Sequence, residues 1–336
     1  MMSSILESLS SSFSNDMVAS LGKALGADPS AITKGLGVAG PLLLQGMSKM
    51  ADTTGGTESL MKMLPQDSSG PLGSLGSILS GLMGGGSAAD AIGGSSVASS
   101  LLGPGASAIG GSLSRALGFN VTPLLAMAAP ALLGSVAKMM KSDNVDAEGM
   151  AQMLKTQSAA FKADPANRET MALMSSATAA GDTAQAMMTA YGADWSKVAG
   201  GPVAAMMMVA TADLSGLLGS IQEVQAASKA LLAAATRAAP GSVLASALGG
   251  GLNAEMLKDV KALAPRKEKL IEVVKAGVAA VAARSPGDVR AYKDAILSVA
   301  KATAEAAKDG GFLGIGGTLV SKDEQASLDA IAAALA

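Results

Sequence analysis

Pro41-Leu42-Leu43-Leu44-Gln45-Gly46-Met47-Ser48-Lys49-Met50 has a counterpart in Pro130-Ala131-Leu132-Leu133-Gly134-Ser135-Val136-Ala137-Lys138-Met139. Each stretch opens on proline, carries Leu-Leu, and closes on Lys-Met. Upstream of each lies the same punctuation, Ala24-Leu25-Gly26 and Ala116-Leu117-Gly118. Their apolar residues recur at helical intervals. Proline is pre-organised for the first helical position, so Pro41 and Pro130 are read as helix starts. Lys49 and Lys138 then fall in the last turn, where a cation complements the helix dipole.

The likeness extends outward. Ser20-Leu21-Gly22-Lys23-Ala24-Leu25-Gly26 aligns with Ser112-Leu113-Ser114-Arg115-Ala116-Leu117-Gly118, and Met63-Leu64 with Met153-Leu154. A period near 90 residues is too long for a solenoid repeat. It is read as a duplicated small helical module. Short amphipathic helices draw their stability from packing, so the copies are expected to cover each other or another chain.

Composition favours an all-α fold. Hydrophobic residues make up 49% of the 336, but aromatics only 2%. Ala, Gly, Leu and Met dominate, while the aromatic and β-branched residues that favour strands are sparse. Small residues let helices approach closely, and Met fills irregular gaps. There is no Cys and no His. Disulfides, thiolate nucleophiles, Ser-His-Asp triads and His-ligated zinc are therefore excluded. The net charge of −2 gives no global pull toward nucleic acid.

Along the chain, Ser14-Asn15-Asp16 offers a cap for a helix that Gly26 closes. Asp28-Pro29 starts the next. Residues 70–111 are Gly- and Ser-rich, with Asp90 as their only charge, yet Leu72, Leu75, Leu79 and Leu82 keep helical spacing. Two readings stand: a flexible connector, or an apolar helix ordered only against a partner. Beyond residue 158 the expected helices are Arg168–Ala180, Asp182–Tyr191, Val203–Leu218 and Ile221–Ala238, with Gly200-Gly201-Pro202 as punctuation. Helices are also expected at Asn253–Leu263, Pro265–Ala283 and Asp288–Lys308. Ser321 and Glu324 form a capping box for the last.

Residues 116–137 carry no charge and are long enough to span a bilayer. The aligned first-copy window holds Asp28 and Lys34, so a buried helix pair is expected instead. Met206-Met207-Met208 cannot converge on copper, since consecutive residues point around a helix. The Gly310–Gly317 loop lacks the spacing of a phosphate-binding loop. It is read as a packing turn in which Phe312 and Leu313 fill a notch. Residues 258–301 hold ten basic and five acidic residues, but the signs interleave as on a solvated helix face.

The N-terminal repeat resembles the YidB-like family, a bacterial group of small helical domains of unknown function. The likeness rests on Met17-Val18-Ala19-Ser20-Leu21-Gly22, Gly26-Ala27-Asp28-Pro29-Ser30, Gly40-Pro41-Leu42-Leu43-Leu44-Gln45-Gly46-Met47 and the Gly/Leu-rich stretch after residue 70. It covers roughly residues 5–155. It implies a helical fold and a bacterial source, and transfers no catalytic residue.

The expected domains are a first module at 1–69, a connector at 70–111, a second module at 112–157 and an Ala-rich helical domain at 158–336. The expected function is a non-enzymatic, cytoplasmic protein that self-associates or scaffolds, with no cofactor and no metal. Its partner is expected to be itself or another protein, through Leu72, Leu75, Leu79, Leu82, Phe312 and Leu313. Nucleic acid is not expected. Membrane-surface association through residues 70–140 is the alternative.

Overall fold

The fold is all-α. A computed structural model describes residues 5–64, 96–212, 233–234, 238, 242–248, 266–306 and 320–336. Thirteen helices and no strand occur among these residues. The chain divides into two compact units, 1–179 and 180–336.

The first unit is built around two long helices. Helix α1 (Ile5–Ser11) is followed by α2 (Asn15–Leu25), α3 (Pro29–Ala51) and α4 (Gly56–Met63). After a helical stretch at 96–102 come α5 (Ala106–Leu117), α6 (Thr122–Ser142) and α7 (Ala147–Ala163). A 3₁₀ turn at Pro165–Asn167 leads into α8 (Arg168–Tyr191).

Local chemistry sets the short elements as expected. The Ser14 hydroxyl accepts from the Met17 N–H at the start of α2, and Gly26 closes that helix with φ +63°. Gly118 closes α5 in the same left-handed conformation, with φ +80°. The two aligned corners are braced differently. In the first, the Gly22 carbonyl accepts from Gly26 and Ala27 N–H groups. In the second, the buried Ser114 hydroxyl donates to Gly110 O at 2.7 Å and accepts from Val121 N at 3.0 Å.

α3 packs against α6, and together they hold the core. Leu42, Leu43, Leu44 and Met47 of α3 are buried, as are Leu124, Met127, Leu132, Leu133 and Val136 of α6. α6 is the one helix among the described residues long and apolar enough to cross a membrane, and 78% of its most apolar window is buried. It also packs against α1. α1 is tied further by its Ile5 N–H, which donates to Gln157 Oε1 at 2.9 Å.

Pro41 and Pro130 are not helix starts. Both lie inside continuous helices, α3 and α6. Proline removes one helical hydrogen bond and strains the preceding turn, at a cost of about 3 kcal/mol. Burial of a leucine side chain returns about 1.5–3 kcal/mol. Several such residues flank each proline, so packing overrides the local rule.

The second unit is centred on α9 (Trp195–Ala210), reached from α8 through a 3₁₀ turn at Gly192–Asp194. It continues with α10 (Val243–Leu248) and α11 (Lys267–Arg284), then a 3₁₀ turn at Pro286–Asp288, α12 (Val289–Ala306) and α13 (Lys322–Leu335). α9 touches α10, α11, α12 and α13. Its residues Val198–Val209 are all buried, which makes it the core helix. The helix expected to begin at Val203 therefore begins at Trp195, with Pro202 in its interior. α8 likewise runs unbroken through Gly181, where two helices were expected. A single mid-helix glycine costs only about 1 kcal/mol. The capping box of α13 forms as read, with Ser321 Oγ accepting from Glu324 N and Ser321 N donating to Glu324 Oε2.

Gly37 offers a test of the long α3. It is exposed, helical, and a Cβ there would meet nothing within 4 Å. Gly37→Ala is expected to stabilise the first unit by about 0.5–1 kcal/mol. Chemical denaturation followed by circular dichroism measures this. No gain would mean that residue 37 is not held within a helix.

Candidate functional site

The expected assembly residues Leu72, Leu75, Leu79, Leu82, Phe312 and Leu313 lie outside the described residues, as do the 310–317 loop and the expected helices Ile221–Ala238 (apart from residues 233–234 and 238) and Asn253–Leu263. Met206, Met207 and Met208 are core residues of α9. No group of three or more His, Cys, Asp or Glu able to hold a metal occurs among the described residues. The basic stretch has acidic neighbours: Lys269 pairs with Glu272 at 2.7 Å, and Arg290 lies 4.0 Å from Asp294.

The most developed polar arrangement is one that sequence reading missed. It lies where α8 turns into α9 and α11 turns into α12. The chain has one Trp and two Tyr, and all three are here. Tyr191 and Trp195 meet edge to face, with ring centroids 5.8 Å apart. The Arg284 guanidinium sits over the Tyr191 ring at 5.7 Å. It donates to the carbonyl of Ala190 at 2.7 Å and reaches Asp194 Oδ2 at 3.4 Å. Tyr191 Oη donates to Ser285 Oγ at 2.9 Å. Lys197 Nζ donates to Asp194 Oδ1 at 2.6 Å.

The electrostatics follow from these contacts. The hydrogen bond from Lys197 and its charge, helped by Arg284, hold the Asp194 carboxyl below its usual range. Its contribution to stability is thus present above the unfolded carboxylate range and lost as pH falls. Arg284 neutralises the carbonyl end of α8, as a cation at a helix C-terminus does.

Beneath this surface corner lies Tyr292, fully buried on α12. Its hydroxyl donates to Val198 O at 2.6 Å. Val198 stands four residues before Pro202, which has no N–H to offer that carbonyl. Tyr292 thus supplies the donor that proline withholds. Its access depends on two glycines. A Cβ on Gly277 would fall 2.5 Å from Tyr292 Oη and 2.8 Å from Lys197 O, and one on Gly201 would also strike Tyr292 Oη. Burial pushes the Tyr292 phenol well above its ordinary range. The signal in the sequence was the rarity of aromatics: three of seven fall at 191, 195 and 292.

The arrangement binds helix ends together. It brings no nucleophile beside a base and no paired carboxylates. Buried hydroxyls elsewhere act locally: Ser135 donates to Ala131 O, Thr303 to Val299 O, and Ser327 to Asp323 O.

Comparison with known proteins bears on the first unit. Residues 7–139 match a family described as "Bacterial protein of unknown function (DUF937)". This is the YidB-like family. The match runs from within α1 through most of α6 and includes none of the second unit. No curated protein and no solved structure matches the chain.

Two substitutions test the buried contact. Tyr292→Phe leaves a buried carbonyl without its donor, and is expected to destabilise by about 1–3 kcal/mol. Gly277→Ala is expected to cost a similar amount, about 1–3 kcal/mol, by overpacking against Tyr292 and the Lys197 carbonyl. The phenol also predicts a pH dependence. In the unfolded chain it ionises near pH 10, whereas in the fold it stays protonated. Its stabilisation is full below about pH 10 and falls by about 1.4 kcal/mol per unit above it. Denaturation midpoints of the wild type and Tyr292→Phe should converge as pH rises beyond about 10. Parallel curves would place the hydroxyl in water.

Proposed function

We propose that the protein is a non-enzymatic, self-associating or scaffolding helical protein of the bacterial cytoplasm. The observation that carries this reading is the use made of polar side chains. Among the described residues they cap helices, bond back to their own helix, or tie one helix to another, as Gln157 does with Ile5, Lys34 with Glu169, and Tyr191 with Ser285. None of these arrangements joins a nucleophile, a base and an orienting group in the way catalysis requires. The family matched by residues 7–139 has no assigned activity to set against it.

Self-association needs a contact surface. Met61 is the exposed large hydrophobic residue among those described. The proposed surface is the one read from the sequence, Leu72, Leu75, Leu79, Leu82, Phe312 and Leu313, all outside the described residues. The duplication of the N-terminal module belongs to the same proposal. Both copies supply a glycine-closed helix followed by a long helix with an internal proline, and these two long helices pack together.

Light scattering across a concentration series tests the proposal. The expected result is a mass above 32.8 kDa that rises with concentration, and that returns toward the monomer in Leu75→Asp/Leu79→Asp. A strict monomer at high concentration would overturn it. Peripheral membrane association through the apolar 70–140 region is the second reading. Flotation with anionic liposomes separates the two, because a scaffold stays in the unbound fraction.

A further inference from the structure

We infer that the α4 corner of the first unit is a site of reversible methionine oxidation, and that sulfoxides at Met50, Met63 and Met153 release α4 from the helices that hold it. The chain has 21 Met and no Cys, so oxidation at sulfur falls on thioethers alone. A peroxide transfers one oxygen atom to the thioether. Its O–O bond breaks, the sulfur gives up two electrons to become the sulfoxide, and water leaves. Thiol-driven sulfoxide reductases return the thioether.

The sulfur must meet the oxidant, so burial protects it. Met47, Met127, Met140, Met150, Met174 and Met206–Met208 are each no more than 8% exposed. The α4 corner is different. Met61 is 36% exposed. Met50 in the last turn of α3, Met63 on α4 and Met153 on α7 are half-buried against the core. α4 touches both α3 and α7, so these sulfurs stand on the three elements that meet there.

A sulfoxide matters here because α4 is weakly held. It has eight residues, too few to keep a helix without packing. No side chain caps its start, which follows Gly55 in the left-handed conformation. Its buried residues are Gly56 and Leu60, and half-buried Met63 and Leu64 complete its hold. Oxidation turns a flexible apolar side chain into a polar one. Burying that group without a partner is unfavourable, so sulfoxides at Met50, Met63 and Met153 favour the undocked helix. Met61 is already exposed, and its oxidation leaves α4 in place. Met17, Met139, Met171, Met187 and Met188 are also half-buried. They lie on helices of 11, 21 and 24 residues, whose hold is spread over more side chains.

Proteolysis of the full-length chain tests this. Lys62 is exposed on α4, but trypsin cleaves extended chain, so cleavage after Lys62 reports the opening of the helix. It is expected to be slow in the untreated protein. Dilute hydrogen peroxide, applied until peptide mass mapping shows sulfoxide at Met50, Met63 and Met153, should speed it by about tenfold or more. Methionine sulfoxide reductases with dithiothreitol should restore the slow rate. Met50→Leu/Met63→Leu/Met153→Leu keeps volume and apolar contact, and should stay slow in peroxide while Met61 is still oxidised. Met61→Leu alone should respond as the wild type does. Fast cleavage in the untreated chain would overturn the inference, because there would be no latch to open. So would equal acceleration in the Leu-substituted variant, an unchanged rate in wild type carrying all three sulfoxides, or oxidation of the buried methionines ahead of these three.

Discussion

A proline in the middle of a buried helix leaves a carbonyl without a donor, and the second unit is arranged around meeting that need at Val198. Pro202 removes the N–H that would have served it. Tyr292 replaces the donor from another helix at 2.6 Å. Everything nearby follows from bringing a phenol so close to a backbone. Gly201 and Gly277 give up their side chains to let it in. α9, α11 and α12 must then lie within one ring of each other, which fixes the centre of the unit. A buried hydroxyl is costly unless bonded and a buried carbonyl likewise, so each removes the penalty of the other.

The first unit meets the same difficulty through hydrophobic packing. Pro41 and Pro130 interrupt the two helices that carry most of its core. Both helices continue because leucines and methionines on either side are buried against one another. The cohesion of both units is thus of a small-residue kind. Ala and Gly allow close approach, and close approach supplies the dispersion contacts that large aromatic side chains supply elsewhere.

What could be read from the sequence was what depends on near neighbours. The Ser14 cap, the Gly26 and Gly118 closures and the Ser321/Glu324 box each involve residues within a turn or so, and all are present as read. The helical class followed from composition and period. The prolines were misread because the rule placing them at helix starts is local, whereas the burial that overrides it is not. No local signal links Val198 to Tyr292 or Arg284 to Ala190. These contacts join residues 94 apart in sequence. The one usable clue was that a chain nearly devoid of aromatic residues gathers its tryptophan and both tyrosines at one corner.

That gathering has an optical consequence. The chain's near-ultraviolet absorbance and intrinsic fluorescence arise from Tyr191, Trp195 and Tyr292, all in the second unit. The first unit contributes only Phe13, Phe119 and Phe161, whose signals are faint beside those of tyrosine and tryptophan. Fluorescence therefore sees half of this protein. The 1–179 unit could melt, rearrange or dock while the emission spectrum stayed still. A single sharp fluorescence transition would describe the corner between α9 and α12 rather than the chain.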